Sequence, residues 1–351
     1  MTSKKLISLS IVAALLVAAA YFSNNRSAVK TPSITGKPLL GKLDFSKVAK
    51  VEIANETTHP INLQSTDAGW VVESLYGYPA DITRIRQALL NLDELKIGHT
   101  ADAAKLGEKP GKLEIKDAAG ATLAKLTLGE KRMRAASGEM TPYGGGPYPE
   151  GRYVGTDAGT FLIGDALEAF DGDAKRWVET KIASVPASDV AAIEIVNGSN
   201  TVSLAKAGGV WSMADLAEGE ELDTSKFYSV ESALSYLNFD DIADPALTPD
   251  QLGLTTGTVF AATLKNGESY TAALGNTATN STGRYLHLVA TFTPVGTNET
   301  ENAAVQKKVD AFNAESGKWT YVITANNAEK MTKARADFIK EKPKSEPEVT
   351  D

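Results

Sequence analysis

There is no cysteine in the 351 residues. Disulfides, thiolate metal sites and a cysteine nucleophile are therefore excluded, and the folded parts must be held by their cores alone. Histidine is scarce too: His59, His99 and His287 are the three. None stands in an H-x-x-x-H or H-x-H pair, so a histidine metal site would need ligands from distant segments, and surface or strand-edge positions account for them better. Positive charge is in deficit. With 36 Lys and Arg against 44 Asp and Glu, the formal net charge is −8. That argues against a nucleic-acid partner, which calls for cations to replace the counterions of phosphate. No G-x-S-x-G elbow occurs, and no S-x-x-K followed by K-T-G. Gly107 to Lys112 faintly resembles a phosphate loop, but its spacing is short and Leu113 stands where Ser or Thr is needed, so it reads as a turn. Paired carboxylates such as Asp171 and Asp173, or Asp240 and Asp241, read as solvated ends of elements. No catalytic residue, cofactor site or metal site is predicted.

Long apolar runs are absent apart from one. Lys4 and Lys5 precede Leu6 to Phe22, in which Ser8 and Ser10 are the polar interruptions. At about 1.5 Å per residue such a helix spans roughly 25 Å, the short end of what crosses a bilayer. A signal peptide cleaved near Ala18-Ala19-Ala20 and an uncleaved anchor both fit. The run is long for a signal-peptide core, which favours the anchor over residues 1–22. In either case the lysines stay inside and the rest of the chain is exported. The expected location is the outer face of the inner membrane, single-pass, with a periplasmic soluble part. Residues 23–42, with Pro32 and Pro38 and no apolar period, read as a linker. Residues 341–351 read as a charged, disordered tail.

What is there, in quantity, is repetition. Gly151-Arg152-Tyr153-Val154 returns as Gly283-Arg284-Tyr285-Leu286, and much of what precedes it returns in the same order. Trp70 and Trp211, Leu106-Gly107 and Leu252-Gly253, and Leu128-Gly129 and Leu274-Gly275 correspond. Val51 and Ile193, Asp81 and Asp223, and Leu92 and Leu234 are each 142 residues apart. Within the first copy, Val51 and Ile53, then Ile61 and Leu63, then Gly69 to Val72 predict a three-strand antiparallel meander with Trp70 in the core. Asp81 caps a helix carrying Ile85, Ala88, Leu89 and Leu92. A hairpin to Leu128, strands at Arg152 to Val154 and Thr160 to Ile163, and a short helix from Asp165 to Phe170 complete it. The second copy predicts the same, with a helix from Asp223 through Leu237, an inserted helix over Ala303 to Ala314, and a helix from Ala328 to Ile339. The expected fold is α+β: two tandem similar domains, 43–184 and 185–340, each a mainly antiparallel sheet with a packed helix, after the N-terminal membrane segment.

This layout resembles the family catalogued as domain of unknown function 4340. Gly69-Trp70-Val71-Val72, Tyr78-Pro79-Ala80-Asp81 with the leucine-rich helix, Leu106-Gly107, Leu128-Gly129 and Gly151-Arg152-Tyr153-Val154 carry the likeness, which runs roughly from Val48 to Leu288. Leu106-Gly107-Glu108 departs from the family's Tyr-Gly-Leu form, and Leu252-Gly253-Leu254 keeps part of it. The resemblance implies a membrane-tethered bacterial envelope protein whose gene lies near those of an ABC transporter. Its implied partners are the permease and auxiliary membrane subunits, and its implied role is that of a non-enzymatic accessory or scaffold. It implies no catalytic residues.

Two features invite contact. The insertion from Lys131 to Glu150 holds Arg132, Arg134, Tyr143 and Tyr148 around a run of glycines and prolines. It reads either as a recognition loop, for cell-wall glycan or peptide or for a partner subunit, or as a plain connection. Arg152 and Arg284 either grip a carboxylate or phosphate of a ligand or pair internally and fix a turn, and their recurrence in both copies favours the turn. A hydrolase with an unfamiliar site is the remaining alternative.

Overall fold

The computed structural model describes residues 34–55, 60–134, 147–279 and 281–340. Leu6 to Phe22, His59, Tyr143 and the C-terminal tail lie outside the described residues. Among the described residues no helix is long and apolar enough to cross a membrane.

The architecture is mostly antiparallel sheet with few helices, an α+β fold. One sheet has nine strands: β1 (Lys50–Ala54), β2 (Ile61–Thr66), β3 (Gly69–Val72), β4 (Tyr78–Pro79), β5 (Ile97–Thr100), β6 (Gly111–Lys116), β7 (Thr122–Arg134), β8 (Tyr148–Thr156) and β9 (Gly159–Ile163). Their spatial order is β4-β3-β2-β1-β6-β7-β8-β9-β5. Helix α1 (Ile82–Asp93) lies between β4 and β5 in sequence. A short pair, β10 (Lys181–Ala183) with β14 (Leu237–Asn238), forms a sheet of its own. The other large sheet contains β11 (Val190–Asn197), β12 (Asn200–Ala207), β13 (Val210–Met213), β15 (Asp241–Ile242), β16 (Thr258–Leu264), β17 (Glu268–Thr277), β18 (Arg284–Phe292) and β19 (Thr320–Ile323). Its order is β13-β12-β11-β16-β17-β18-β19-β15. Apart from β4, the second order repeats the first strand for strand. The described residues cluster into two compact units, one within 1–48, 53–57 and 87–171, the other within 49–52, 58–86 and 172–351.

Alternation explains the strands. In β1, β2 and β6 every second residue is buried: Val51 and Ile53, Ile61 and Leu63, Leu113 and Ile115. In β16 and β17 the same period buries Phe260, Ala262 and Leu264, then Tyr270, Ala272 and Leu274. Period two puts these side chains on one face of a pleated sheet. Trp70 departs from expectation in degree: it is half-buried, and Val72 holds the core position. The two share a face, but Trp70 sits at the start of a strand near the sheet edge, where cover is thin. Trp211 is likewise half-buried, stacked on Phe227 with centroids 5.7 Å apart.

The helices differ more. Asp223 does cap a turn, accepting from Ser225 N at 3.0 Å, but the α-helix that follows, α2 (Phe227–Glu231), is five residues long. The predicted continuation to Leu237 is replaced by tighter turns, with Ala233 N bonded to Val230 O at 3.1 Å and Ser235 N to Ser232 O at 3.0 Å. Leu234 and Leu237 are buried all the same, carried by turns and by β14. The inserted helix α3 (Glu299–Glu315) is longer than expected and is capped by Asn298. The last predicted helix divides into α4 (Ala325–Met331) and a 3-10 turn at Arg335–Phe338, with Thr332 Oγ1 bonded back to Ala328 O at the break. Asp165 opens only a 3-10 turn, Glu168–Phe170, preceded by Leu167 in the left-handed region. Part of the expected linker also belongs to the fold. Gly36 N donates to Ile97 O and Leu39 N to Leu95 O, and the Leu39 side chain is buried.

Candidate functional site

The repeated Leu-Gly, Leu-Gly and Gly-Arg-Tyr motifs come together within each compact unit. In the first unit the chain reverses at Gly107, with φ at +79°, and lies directly on Gly129: a Cβ at Gly129 would sit 2.7 Å from Leu106 Cα and 2.7 Å from Lys105 O. A Cβ at Gly151 would sit 2.3 Å from Ile163 O. Both glycines are therefore demanded by backbone passing over backbone. In the second unit Gly253 has φ at +72°, Gly275 would meet Leu252 O at 2.1 Å and Gly283 would meet Ile323 O at 2.5 Å. Gly129 and Gly275, and likewise Gly151 and Gly283, thus serve corresponding contacts in the two units.

The arginines complete the arrangement. Arg152 Nε donates to Gly129 O at 3.0 Å, and Arg284 Nε donates to Gly275 O at 2.9 Å. Each guanidinium thus holds the carbonyl of the glycine that the first Leu-Gly turn rests on. Beyond that shared bond the units differ. Arg152 is 7% exposed, and its Nη1 donates to Asp171 Oδ1 at 2.5 Å and to Ala166 O at 3.4 Å. Lys131, the cross-strand partner of Arg152, lies with Nζ 2.9 Å from Asp171 Oδ2, close enough to pair but off the alignment of a hydrogen bond. Arg284 is half-buried, and its Nη2 also donates to Gly275 O, at 2.6 Å.

Around Arg152 the first unit has an open cleft of about 530 Å³. Glu108, Lys109, Glu130, Lys131, Arg152 and Asp171 supply its charges, three of each sign. The loop dismissed as a phosphate site forms one wall. Its charges balance, so the cleft has no cationic excess of the kind a phosphate site needs. Asp171, read from sequence as the solvated end of an element, is instead the ion-pair partner of both Arg152 and Lys131. Only the unpaired look of a buried arginine could have signalled it, and burial is not visible in the chain.

The insertion is better ordered at its arms than its composition suggests. Strands β7 and β8 continue into it, with Arg132 opposite Gly151, Met133 opposite Pro149 and Arg134 opposite Tyr148. Arg132 pairs with Glu150 at 3.0 Å, and Arg134 lies over the Tyr148 ring while donating to its hydroxyl at 3.1 Å. Met133, Arg134 and Tyr148 are exposed. The structure therefore brings Arg132, Arg134 and Tyr148 together at one hairpin end and sets Arg152 apart in the cleft, with Arg284 in the other unit. His99 is exposed in β5, and His287 Nε2 lies 2.8 Å from Gly317 O. Among the described residues no group of three His, Asp or Glu side chains is placed to hold a metal ion.

A family model for a domain of unknown function, DUF4340, matches residues 70–257. The chain belongs to the DUF4340 family. Within the DUF4340 match lie Trp70, the Gly107 turn, Gly129, Arg152 and Asp171, whereas Gly275 and Arg284 fall beyond its end. No curated protein and no solved structure matches the chain.

Proposed function

We propose that the protein is a non-enzymatic accessory of an ABC-type envelope transport system. Leu6 to Phe22 tethers it to the outer face of the inner membrane, and two tandem copies of one module, 43–184 and 185–340, stand in the periplasm as a binding scaffold. The observation that carries the reading is the use made of the repeated residues. Arg152 and Arg284 each bind the carbonyl of a glycine on which another stretch of backbone rests, which favours a frame over a reactive centre. The repeated strand order supports a duplicated module. Membership in the DUF4340 family supports the setting through the resemblance set out above. Detergent extraction followed by affinity purification tests it: the permease and ATPase should co-purify with the full chain and be lost when residues 6–22 are removed. Recovery of the chain alone, from intact membranes under mild detergent, would count against it.

The extended hairpin favours a second reading, a binder of cell-wall glycan or peptide. A cation and an aromatic ring exposed together at the end of β7 and β8 are what such a contact uses. Deleting residues 135–146 should then abolish retention on isolated wall material while leaving the thermal transition in place.

A further inference from the structure

The two units hold one guanidinium in one way, but among the described residues only the first supplies its carboxylate. In the first unit, Arg152 Nε is bound to a glycine carbonyl and Nη1 points to Asp171 Oδ1 at 2.5 Å. In the second, Arg284 spends Nε and Nη2 on Gly275 O. Among the described residues no carboxylate lies within ion-pair distance of it, and Nη1 has no hydrogen-bond partner. The segments that could have provided one have changed. After Ile163 the first unit has Asp165, Glu168 and Asp171. After Ile323 the second has Thr-Ala-Asn-Asn-Ala-Glu-Lys-Met, where the single acid, Glu329, pairs with Lys333 at 2.6 Å. The second cation is gone as well. Lys131 stands across from Arg152, whereas Thr277 stands across from Arg284. Asn276 and Thr277, at the end of the strand paired with Arg284, are neutral and exposed.

We infer that Arg284 is a recognition point for a carboxylate brought by a ligand, which docks on Nη1 as Asp171 does on Arg152. A guanidinium already oriented by a backbone carbonyl loses little freedom on gripping an oxyanion, and a half-buried setting strengthens the charge-assisted bonds. The first unit serves as the internal template: it shows a carboxylate, not a phosphate, at this place. The inference does not depend on the transporter setting proposed above, since it concerns the chemistry of one side chain.

Arginine-selective modification of the full-length protein with phenylglyoxal, read peptide by peptide by mass spectrometry, tests it. Two probes separate the sources of the carboxylate: Nα-acetyl-glutamic acid α-amide carries only a side-chain carboxylate, and Nα-acetyl-alanine only a terminal one. At matched ionic strength against sodium chloride, at least one probe should slow modification of Arg284 severalfold and leave Arg132 and Arg134 unchanged. The more protective probe names the source. Equal rates in probe and chloride, or stronger protection by inorganic phosphate than by either carboxylate, would overturn the assignment. Asp171→Asn supplies a second arm. Arg152, shielded in the parent chain, should become reactive and should then be protected by the same probe. Reactivity indifferent to carboxylates would remove the template and the inference with it.

Discussion

Arg152 and Asp171 meet at 2.5 Å between Nη1 and Oδ1, inside a cleft where Lys131 approaches the other carboxylate oxygen at 2.9 Å. The arginine is nearly buried, so the carboxylate is what makes its burial tolerable. Asp171→Asn should lower stability by about 2 kcal/mol, the range for a hydrogen bond to a charged group left half-made. The urea midpoint measures this. A shift no larger than that of a surface substitution would show that water replaces the carboxylate.

Gly129 and Gly275 predict a steric pair. Alanine at either position drives a methyl group into the backbone of the Leu-Gly turn, at 2.7 Å in the first unit and 2.1 Å in the second. Each substitution should cost about 1–3 kcal/mol, as overpacking does, with Gly275→Ala the worse of the two. Gly164→Ala, where nothing lies within 4 Å, is the control and should be close to neutral. Thermal denaturation of the three variants decides the order.

Glu268 carries a pH dependence. The residue is 1% exposed, with Lys308 Nζ 2.9 Å from both oxygens, Tyr270 Oη at 2.9 Å and Asn266 Nδ2 at 2.8 Å. Burial alone would raise its pKa, but the bonds from Lys308, Asn266 and Tyr270 override it and hold the carboxyl below its usual value. Tyr270 shifts upward, through burial and then through its bond to Glu268. For a lowered carboxylate the unfolded chain binds more protons, so its stabilisation is full above the unfolded pKa and fades as pH falls through the lowered folded value. Glu268→Gln should therefore be less stable than the parent at neutral pH by about 2 kcal/mol, with the gap closing under acid. A gap that stays constant from neutral to strongly acidic pH would show that the charge is not what stabilises.

Tyr148 and Arg134 separate stability from binding. Both are exposed, and their mutual contact is of the surface kind, so Tyr148→Ala with Arg134→Ala should move the unfolding midpoint by less than about 0.5 kcal/mol. If the hairpin end recognises wall material, the same variant should lose retention on it. Unchanged retention would relieve this hairpin of the role.

Much of the fold was legible because its causes are local. Alternating apolar residues marked β1, β2, β6, β16 and β17, and the recurrence of Leu-Gly and Gly-Arg-Tyr foretold that the two sheets would share an order. The continuation of β7 through Lys131 to Arg134 was not legible. Four charged or flexible side chains show no alternation, and it is pairing with Tyr148 to Arg152 that makes them a strand. Strands as short as β4, β10, β14 and β15 leave too few residues for any period to register.

By itself the chain determined most of the strands and their repeated plan, since alternation is a property of neighbouring residues. Tertiary structure alone decided the fate of the arginines. Asp171 lies 19 residues from Arg152 along the chain and one hydrogen bond away in space, while among the described residues no acid pairs with Arg284. Identical motifs thus carry different electrostatics, because the charge that settles the matter arrives from outside the motif.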